Sequence, residues 1–389
     1  MNLKSLLLSS DEKTVRILRR VLSDLEIGVD HCAGLDDALR KITRTRFEAI
    51  IVDAASVKES ADVLRAAQAA PVNKRALAIV LVDPSVGLKG GFEMGAHFVL
   101  HKPLAVERAK SSFRAVRALM RRERRLQLRV PIQVSVECRG TNRYMAKTLD
   151  LCEGGMALQF SSRVMNESTM RFSLELPGLD RRLEIVGELA WEGQSDQAGV
   201  RFKNTSDEQR KMLQQWLSSH LPETEVDDPV NCRLTDLSLG GCYLTTSSPF
   251  PRGTRVILSI KIANAEMHAG GVVLVMHPEV GMGVQFLQST NEQRDQVHAM
   301  ITALRQNGDK SPELQVEADG LETQSPADKL GRFQVFASQV STGEAADMTV
   351  ASGTGDALVD LFREQYQIPV EAFMQQMREQ RESEVAQSR

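Results

Sequence analysis

One stretch of this chain occurs twice, and the repetition limits its architecture more than any other feature. Residues 148–158 read TLDLCEGGMAL and residues 234–244 read LTDLSLGGCYL, sharing Asp-Leu-x-x-Gly-Gly before an alternating apolar run. Downstream, Gly199-Val200-Arg201-Phe202 returns as Gly283-Val284-Gln285-Phe286, and Glu208-Gln209-Arg210 as Glu292-Gln293-Arg294. The offset is 86 residues at the first match and 84 at the later ones. An internal repeat of this kind means a duplicated fold unit. The period is too long for a solenoid, so two consecutive small domains are expected.

A chain of 389 residues has room for two to four domains. Its net charge of −3 gives no overall attraction to nucleic acid or to an anionic membrane. The five cysteines (Cys32, Cys138, Cys152, Cys232, Cys242) are odd in number and form no Cys-x-x-Cys pair. That pattern suits reduced thiols in a cytoplasmic protein, without a disulfide framework or a zinc site. No apolar run approaches the ~20 residues a membrane span needs. The apolar N-terminal run is too short for a signal peptide and meets Asp11-Glu12-Lys13 at once, so it reads as a first strand. The seven histidines show no metal-ligand spacing, and no nucleophile elbow, phosphate loop or dinucleotide fingerprint occurs. Neither an enzyme nor a cofactor is expected.

Residues 1–105 alternate apolar strands (Leu6–Leu8, Val29–Cys32, Ala49–Val52, Ala76–Val82, Phe98–Leu100) with helical patterns such as Val15, Leu18, Leu22 and Leu25. Continuous apolar strands between amphipathic helices predict a parallel sheet covered on both faces. Residues 106–130 read as a linker helix, with Ala109, Phe113, Val116 and Met120 on one face. It ends in the arginine run Arg121, Arg122, Arg124, Arg125 and Arg129, and Val130-Pro131 stops it. Residues 131–222 and 223–306 are strand-rich, each closing on a helix with a capping pattern, Ser206/Gln209 and Thr290/Gln293. Residues 307–355 are polar, with prolines and glycines, and read as a flexible linker containing one apolar patch, Phe333 to Phe336. Residues 356–389 read as an amphipathic helical tail, suited equally to a partner and to its own domain.

The first region resembles the receiver domains of two-component systems, on the strength of Asp53 at a strand end, Gly95-Ala96, and Lys102-Pro103 after the last strand. The resemblance implies a phosphoacceptor at Asp53 with Lys102 on the phosphoryl group. It also implies an acidic pair for Mg²⁺ and a hydroxyl ending the fourth strand. Here Ser9 and Ser10 stand at the acidic positions and Val82 at the hydroxyl. Mg²⁺ binds through hard oxygen ligands, so a degenerate receiver used for docking or dimerisation is expected.

The second region, Arg125-x-x-x-Arg129 before a strand and then Asp150-x-Cys152-x-x-Gly155, resembles the PilZ family. That family has six-stranded barrels with a C-terminal helix, many of which bind cyclic di-GMP. The resemblance assigns Arg125 and Arg129 to phosphate and guanine, Asp150 and Gly155 to the base-binding turn, and added charge to Arg121 and Arg124. The physics suits such a ligand, because an arginine fork pairs bidentately with phosphate or with guanine O6 and N7. The family's serine is Cys152, a weaker hydrogen-bonding group. The second copy keeps Asp236, Ser238 and Gly241 but lacks the paired arginines, which points to a structural or dimerisation role. An aspartate in a glycine turn also commonly bonds its own backbone.

The expected whole is a multidomain protein: an α/β, flavodoxin-like receiver domain, then two all-β PilZ-type barrels. Its expected role is a bacterial cyclic di-GMP effector that couples binding to domain rearrangement and to an unidentified protein partner. Two alternatives stand beside it, an adaptor without nucleotide binding and a response regulator phosphorylated on Asp53. Homodimerisation stays open.

Overall fold

The computed structural model describes residues 3–53, 56–162, 169–193, 196–203, 205–220, 229–262, 265–288, 290–307, 312–321, 356–364 and 370–387. The patch at Phe333 to Phe336 lies outside them. The chain divides into two compact units, one made of residues 1–122 with 227–389, the other of residues 123–226.

The first unit begins with a five-stranded parallel sheet. Its strands are β1 (Leu3–Ser9), β2 (Ile27–Cys32), β3 (Ala49–Asp53), β4 (Leu77–Val82) and β5 (Phe98–His101), in the order β2-β1-β3-β4-β5. This is the flavodoxin-like doubly wound order, as expected from the sequence. Helices α1 (Glu12–Asp24), α2 (Leu35–Arg44), α3 (Val57–Ala69), α4 (Gly87–Glu93) and α5 (Val106–Arg125) connect and cover it. Successive strand side chains face opposite ways. Leu7, Ile51 and Ile79 therefore pack with Leu18, Leu22, Phe113 and Val116, while Leu6, Ile50 and Val80 pack with Ile42, Val63 and Leu64. Both faces are dry, which is why the strands are apolar without alternation. Each fully buried Leu or Ile contributes about 1.5–3 kcal/mol. Asp11 caps α1, accepting from the Lys13 and Thr14 amides.

In the second unit, β6 (Val130–Pro131), β7 (Ser135–Arg139), β8 (Arg143–Cys152), β9 (Gly155–Phe160), β10 (Thr169–Leu174), β11 (Leu183–Glu192) and β12 (Gln197–Lys203) precede α6 (Asp207–His220). The ring β8-β7-β10-β11-β12-β9 closes through pairing of β9 with β8, and β6 adds to β8. Leu213, Trp216 and Leu217 of α6 complete the apolar interior, and the Trp216 indole donates to the Pro177 carbonyl at 2.9 Å.

The first unit holds another closed six-stranded barrel: β13 (Val230–Leu237), β14 (Gly241–Thr245), β15 (Thr254–Ile262), β16 (Ala265–His277), β17 (Gly281–Phe286) and β18 (Glu313–Leu321). Helix α7 (Asn291–Asn307) sits between the last two strands. It starts with a reciprocal capping box, Thr290 and Gln293 each bonding the other's amide at 3.2 Å. Helices α8 (Ala357–Glu364) and α9 (Val370–Gln387) complete the described chain.

Two boundaries expected from the sequence are corrected here. The 307–355 linker gives way at 313–321, where β18 closes the ring between β13 and β15. Its Leu314 and Val316 lie in the barrel core. In the ring, β18 takes the place that β7 holds in the other barrel, so the second copy is circularly permuted by one strand. The 106–130 linker helix is likewise no linker up to residue 122. Ala109, Phe113, Val116 and Met120 belong to one apolar cluster with the sheet and with Val256, Leu258 and Leu314 of the permuted barrel. Near its end, the Arg122 guanidinium donates to Asp319 of β18 at 2.7 Å, both side chains buried. Ser111 and Ser248 add a hydrogen bond at 2.9 Å.

Candidate functional site

The site in the 123–226 barrel is set by strand register. Val130 pairs with Leu151 and Pro131 with Asp150, which brings Arg129 beside the Asp150 turn. Arg129 forms an ion pair with Asp150 through Nη1 and Oδ1. The same Asp150 oxygen accepts the Ala157 amide at 3.2 Å. The loop between α5 and β6 also lies against this turn, since a Cβ on Gly154 would sit 3.4 Å from the Leu126 carbonyl oxygen. Arg124 and Arg125, in the last turn of α5, are half-buried.

Asp150 continues into a row that crosses four strands. It pairs with Ala157, Ala157 with Gly199, and Gly199 with Trp191. The flanking Met156, Leu158, Ala198 and Val200 point into the core, so this row faces outward. The indole of Trp191 lies over Gly199, where a Cβ would meet its Nε1 at 1.9 Å, and Trp191 remains 46% exposed. The result is a strip with a guanidinium and carboxylate at one end, an aromatic ring at the other, and small residues between. Such a strip suits a flat anionic heterocycle: stacking at the ring, and charged hydrogen bonds at the other end. From the sequence Trp191 was not singled out, and Gly199 stood out only as part of the repeat. They lie 41 and 49 residues from Asp150, and only the lateral pairing joins them.

Cys152 is buried, and burial pushes its thiol up against the pull of Arg129 and the Gly154 and Gly155 amides. Gly155 has a structural reason of its own: a Cβ there would lie 2.2 Å from the Val200 carbonyl oxygen. Its φ is not positive, so close strand approach, not turn conformation, requires glycine. Arg121, expected to add charge to the site, is paired instead with Glu26 at 3.5 Å within the first unit. That residue lies on the part of α5 that packs in the first unit.

The second copy is arranged differently. The Ser238 hydroxyl accepts the Gly241 amide at 3.1 Å, and the Asp236 carboxylate accepts the Leu237 amide at 2.9 Å. The motif there stabilises its own turn. The paired arginines precede β7 in the first copy. In the permuted copy that strand is β18, reached from α7, and no equivalent arginine segment leads into β13. The row Asp236–Tyr243–Gly283–Val275, equivalent to Asp150–Ala157–Gly199–Trp191, lies beneath α8 and α9.

At the receiver-like sheet, Asp53 ends β3. Lys102 pairs with one of its oxygens at 2.7 Å and the Ser9 hydroxyl donates to the other at 2.8 Å. Burial pulls the Lys102 ammonium down, but hydrogen bonding and charge from Asp53, aided by Asp83 and Asp11, hold it above its usual value. Asp11 is occupied in capping α1, and its carboxyl is lowered by the Thr14 hydroxyl and then the Lys13 amide. Ser9 thus stands where a receiver would place a metal-binding carboxylate. Among the described residues, no group of three or more His, Cys, Asp or Glu is placed to hold a metal ion, and no helix is long and apolar enough to cross a membrane.

Comparison with known proteins matches residues 120–219 and 221–303 to the PilZ domain family. No curated protein matches the chain. Among solved structures, the PilZ domain of CeSA from a cellulose-synthesizing bacterium is 16% identical, over 24% of this chain and 95% of that one, with a TM-score of 0.20. A chemotaxis response regulator of Vibrio cholerae is 22% identical over 30% and 99%, with a TM-score of 0.28. The receiver domain of a sensor histidine kinase from Pseudomonas aeruginosa PAO1 is 21% identical over 28% and 90%, with a TM-score of 0.25.

Proposed function

The chain carries two PilZ domains in tandem behind a receiver-like domain, and on that premise we propose that it is a cytoplasmic, non-catalytic signalling effector binding cyclic di-GMP at its first PilZ barrel. The observation that supports this most is the Arg129–Asp150 pair at the head of the outward row ending in Trp191. Three strand spacings of about 4.8 Å separate Asp150 from Trp191 by roughly 14 Å, and the indole reaches back over Gly199 toward the charged pair. Arg125 and Arg129 grip the phosphates and the Hoogsteen edge of guanine, with Arg124 adding charge. Asp150, freed from Arg129, accepts from guanine N–H donors. Trp191, its inner face already on Gly199, stacks on a base with its exposed face. Cys152 shapes the turn through the Gly154 and Gly155 amides beside its thiol.

Coupling follows from chain continuity. Arg122 is fixed to Asp319, and Arg125 lies three residues further along the same helix. Ligand that recruits Arg125 and Arg129 pulls on a helix anchored in the first unit, and this alters the surface offered to a protein partner. The runner-up is an adaptor that binds no nucleotide, favoured by Cys152 in place of the motif serine and by an arginine already satisfied by Asp150. Titration of the full chain with cyclic di-GMP separates the two, read by calorimetry and by tryptophan fluorescence. The effector reading expects saturable heat and a Trp191 signal that disappears in Trp191→Phe. No heat and no fluorescence change at concentrations on the order of tens of micromolar would leave the adaptor.

A further inference from the structure

In the second barrel, the face equivalent to the nucleotide row is already occupied, and the occupant is this chain. Phe362 of α8 lies against Gly283, where a Cβ would meet its ring at 2.9 Å. Phe373 of α9 lies tilted against Tyr243 at 5.4 Å and His277 at 4.6 Å between ring centroids. Tyr243, Val275, Leu358, Leu361, Phe362, Phe373 and Met377 form one buried cluster, separate from the barrel interior. A polar contact fixes the register: Asp356 accepts the Gly240 amide at 2.7 Å while its other oxygen caps Val359 at 3.2 Å. The two copies have diverged where this matters. Ala157 of the first barrel is Tyr243 in the second and Trp191 is Val275, which replaces a small polar-ended strip with a broad apolar one.

We propose that the second barrel is a receptor for amphipathic helices, not for a nucleotide, and that the chain's own α8 and α9 are its resident ligand, held in cis. The recognition chemistry is that of an apolar helix face laid on an apolar surface. Two aromatic anchors, Phe362 and Phe373, fill the surface, and an aspartate at the helix start reads the glycine turn. Covalent attachment through residues 322–355 raises the effective concentration of the segment at its own barrel. This inference does not depend on nucleotide binding by the first barrel.

The test uses the full chain with a specific protease sequence inserted within residues 330–345, cut after folding, so that the barrel itself carries no substitution. The tail fragment is expected to co-elute with the body after cutting. A labelled synthetic peptide of residues 354–380 is expected to exchange into the cut protein saturably. The same peptide with Phe362→Ala and Phe373→Ala should bind at least tenfold more weakly, and the uncut chain should take up little peptide. Excess cyclic di-GMP should leave the tail in place. The proposal is overturned if the cut tail dissociates and the peptide fails to bind at tens of micromolar, if the alanine peptide binds equally well, if uncut and cut protein take up peptide alike, or if the dinucleotide expels the tail.

Discussion

Leu314→Ala decides whether residues 313–321 are a strand or a connector. Leu314 is 3% exposed, its neighbour Val316 fully buried, and both lie in the interior of the permuted barrel. Truncating a buried leucine costs about 2–5 kcal/mol through lost burial and the cavity left behind. A residue in a solvated connector would change stability by about 0.5 kcal/mol or less. With a loss of about 3 kcal/mol and a urea slope of about 2 kcal/mol/M, the unfolding midpoint of the first unit falls by roughly 1.5 M. The chain offers a clean way to see this. Its only tryptophans, Trp191 and Trp216, belong to the 123–226 unit. Tryptophan fluorescence therefore follows that unit alone, while far-UV circular dichroism also follows the sheet and the permuted barrel. The expected result is an earlier circular-dichroism transition beside the fluorescence transition of the unaltered chain. A circular-dichroism midpoint unchanged by Leu314→Ala would refute the closure of the barrel by β18.

Other expectations are equally direct. Arg129→Ala should weaken cyclic di-GMP binding by about 1–3 kcal/mol in calorimetry. Because Arg129 and Asp150 are 44% and 29% exposed, its effect on stability should stay within about 1 kcal/mol, so a loss of binding matched by a loss of fold would contradict the assignment. Asp319→Asn removes the buried charge to which Arg122 donates at 2.7 Å and should destabilise the first unit by about 3–5 kcal/mol, measured as a urea midpoint. Burial lowers His277 to about 4 from an ordinary 6.5. The unfolded chain therefore binds more protons than the native one between those values, and stability falls as pH drops through that window. Release of the tail from the cut protein should rise over the same interval, because the buried His277 ring lies against Phe373 of α9, 4.6 Å between centroids, and would have to take up a charge there, and the loss should be absent in His277→Gln. Incubation with acetyl phosphate and Mg²⁺ should leave the protein's mass unchanged, since Ser9 takes the place of a metal-binding carboxylate beside Asp53.

The parallel sheet was legible because burial on both faces leaves an unmistakable trace, the unbroken apolar runs at Ile50–Val52 and Leu77–Val82. The barrels were legible through duplication, and the place of Arg129 beside the Asp150 turn through its spacing to a following strand. Strand β18 was not. Leu314, Val316 and Ala318 alternate with polar residues over too short a span to stand out from a linker, and both partner strands lie far away in sequence. Arg121 was grouped with the site for a related reason: the arginines of the run look alike until the helix turns Arg121 toward Glu26 and Arg122 toward Asp319.

Local pattern and composition thus determined most of the strands and helices, though not β18, as well as which turn is duplicated and which residue types gather before the first barrel. Those properties depend on neighbours within one or two turns, and the sequence records them directly. Closure of the second ring by a strand from beyond its helix depended on lateral pairing, as did the Asp150–Trp191 row. The seating of the C-terminal helices on Tyr243 and Gly283 depended on packing between segments about 80 to 130 residues apart. Such contacts are chosen by which apolar surface remains uncovered once the rest of the chain has folded, and that is a property of the tertiary structure alone.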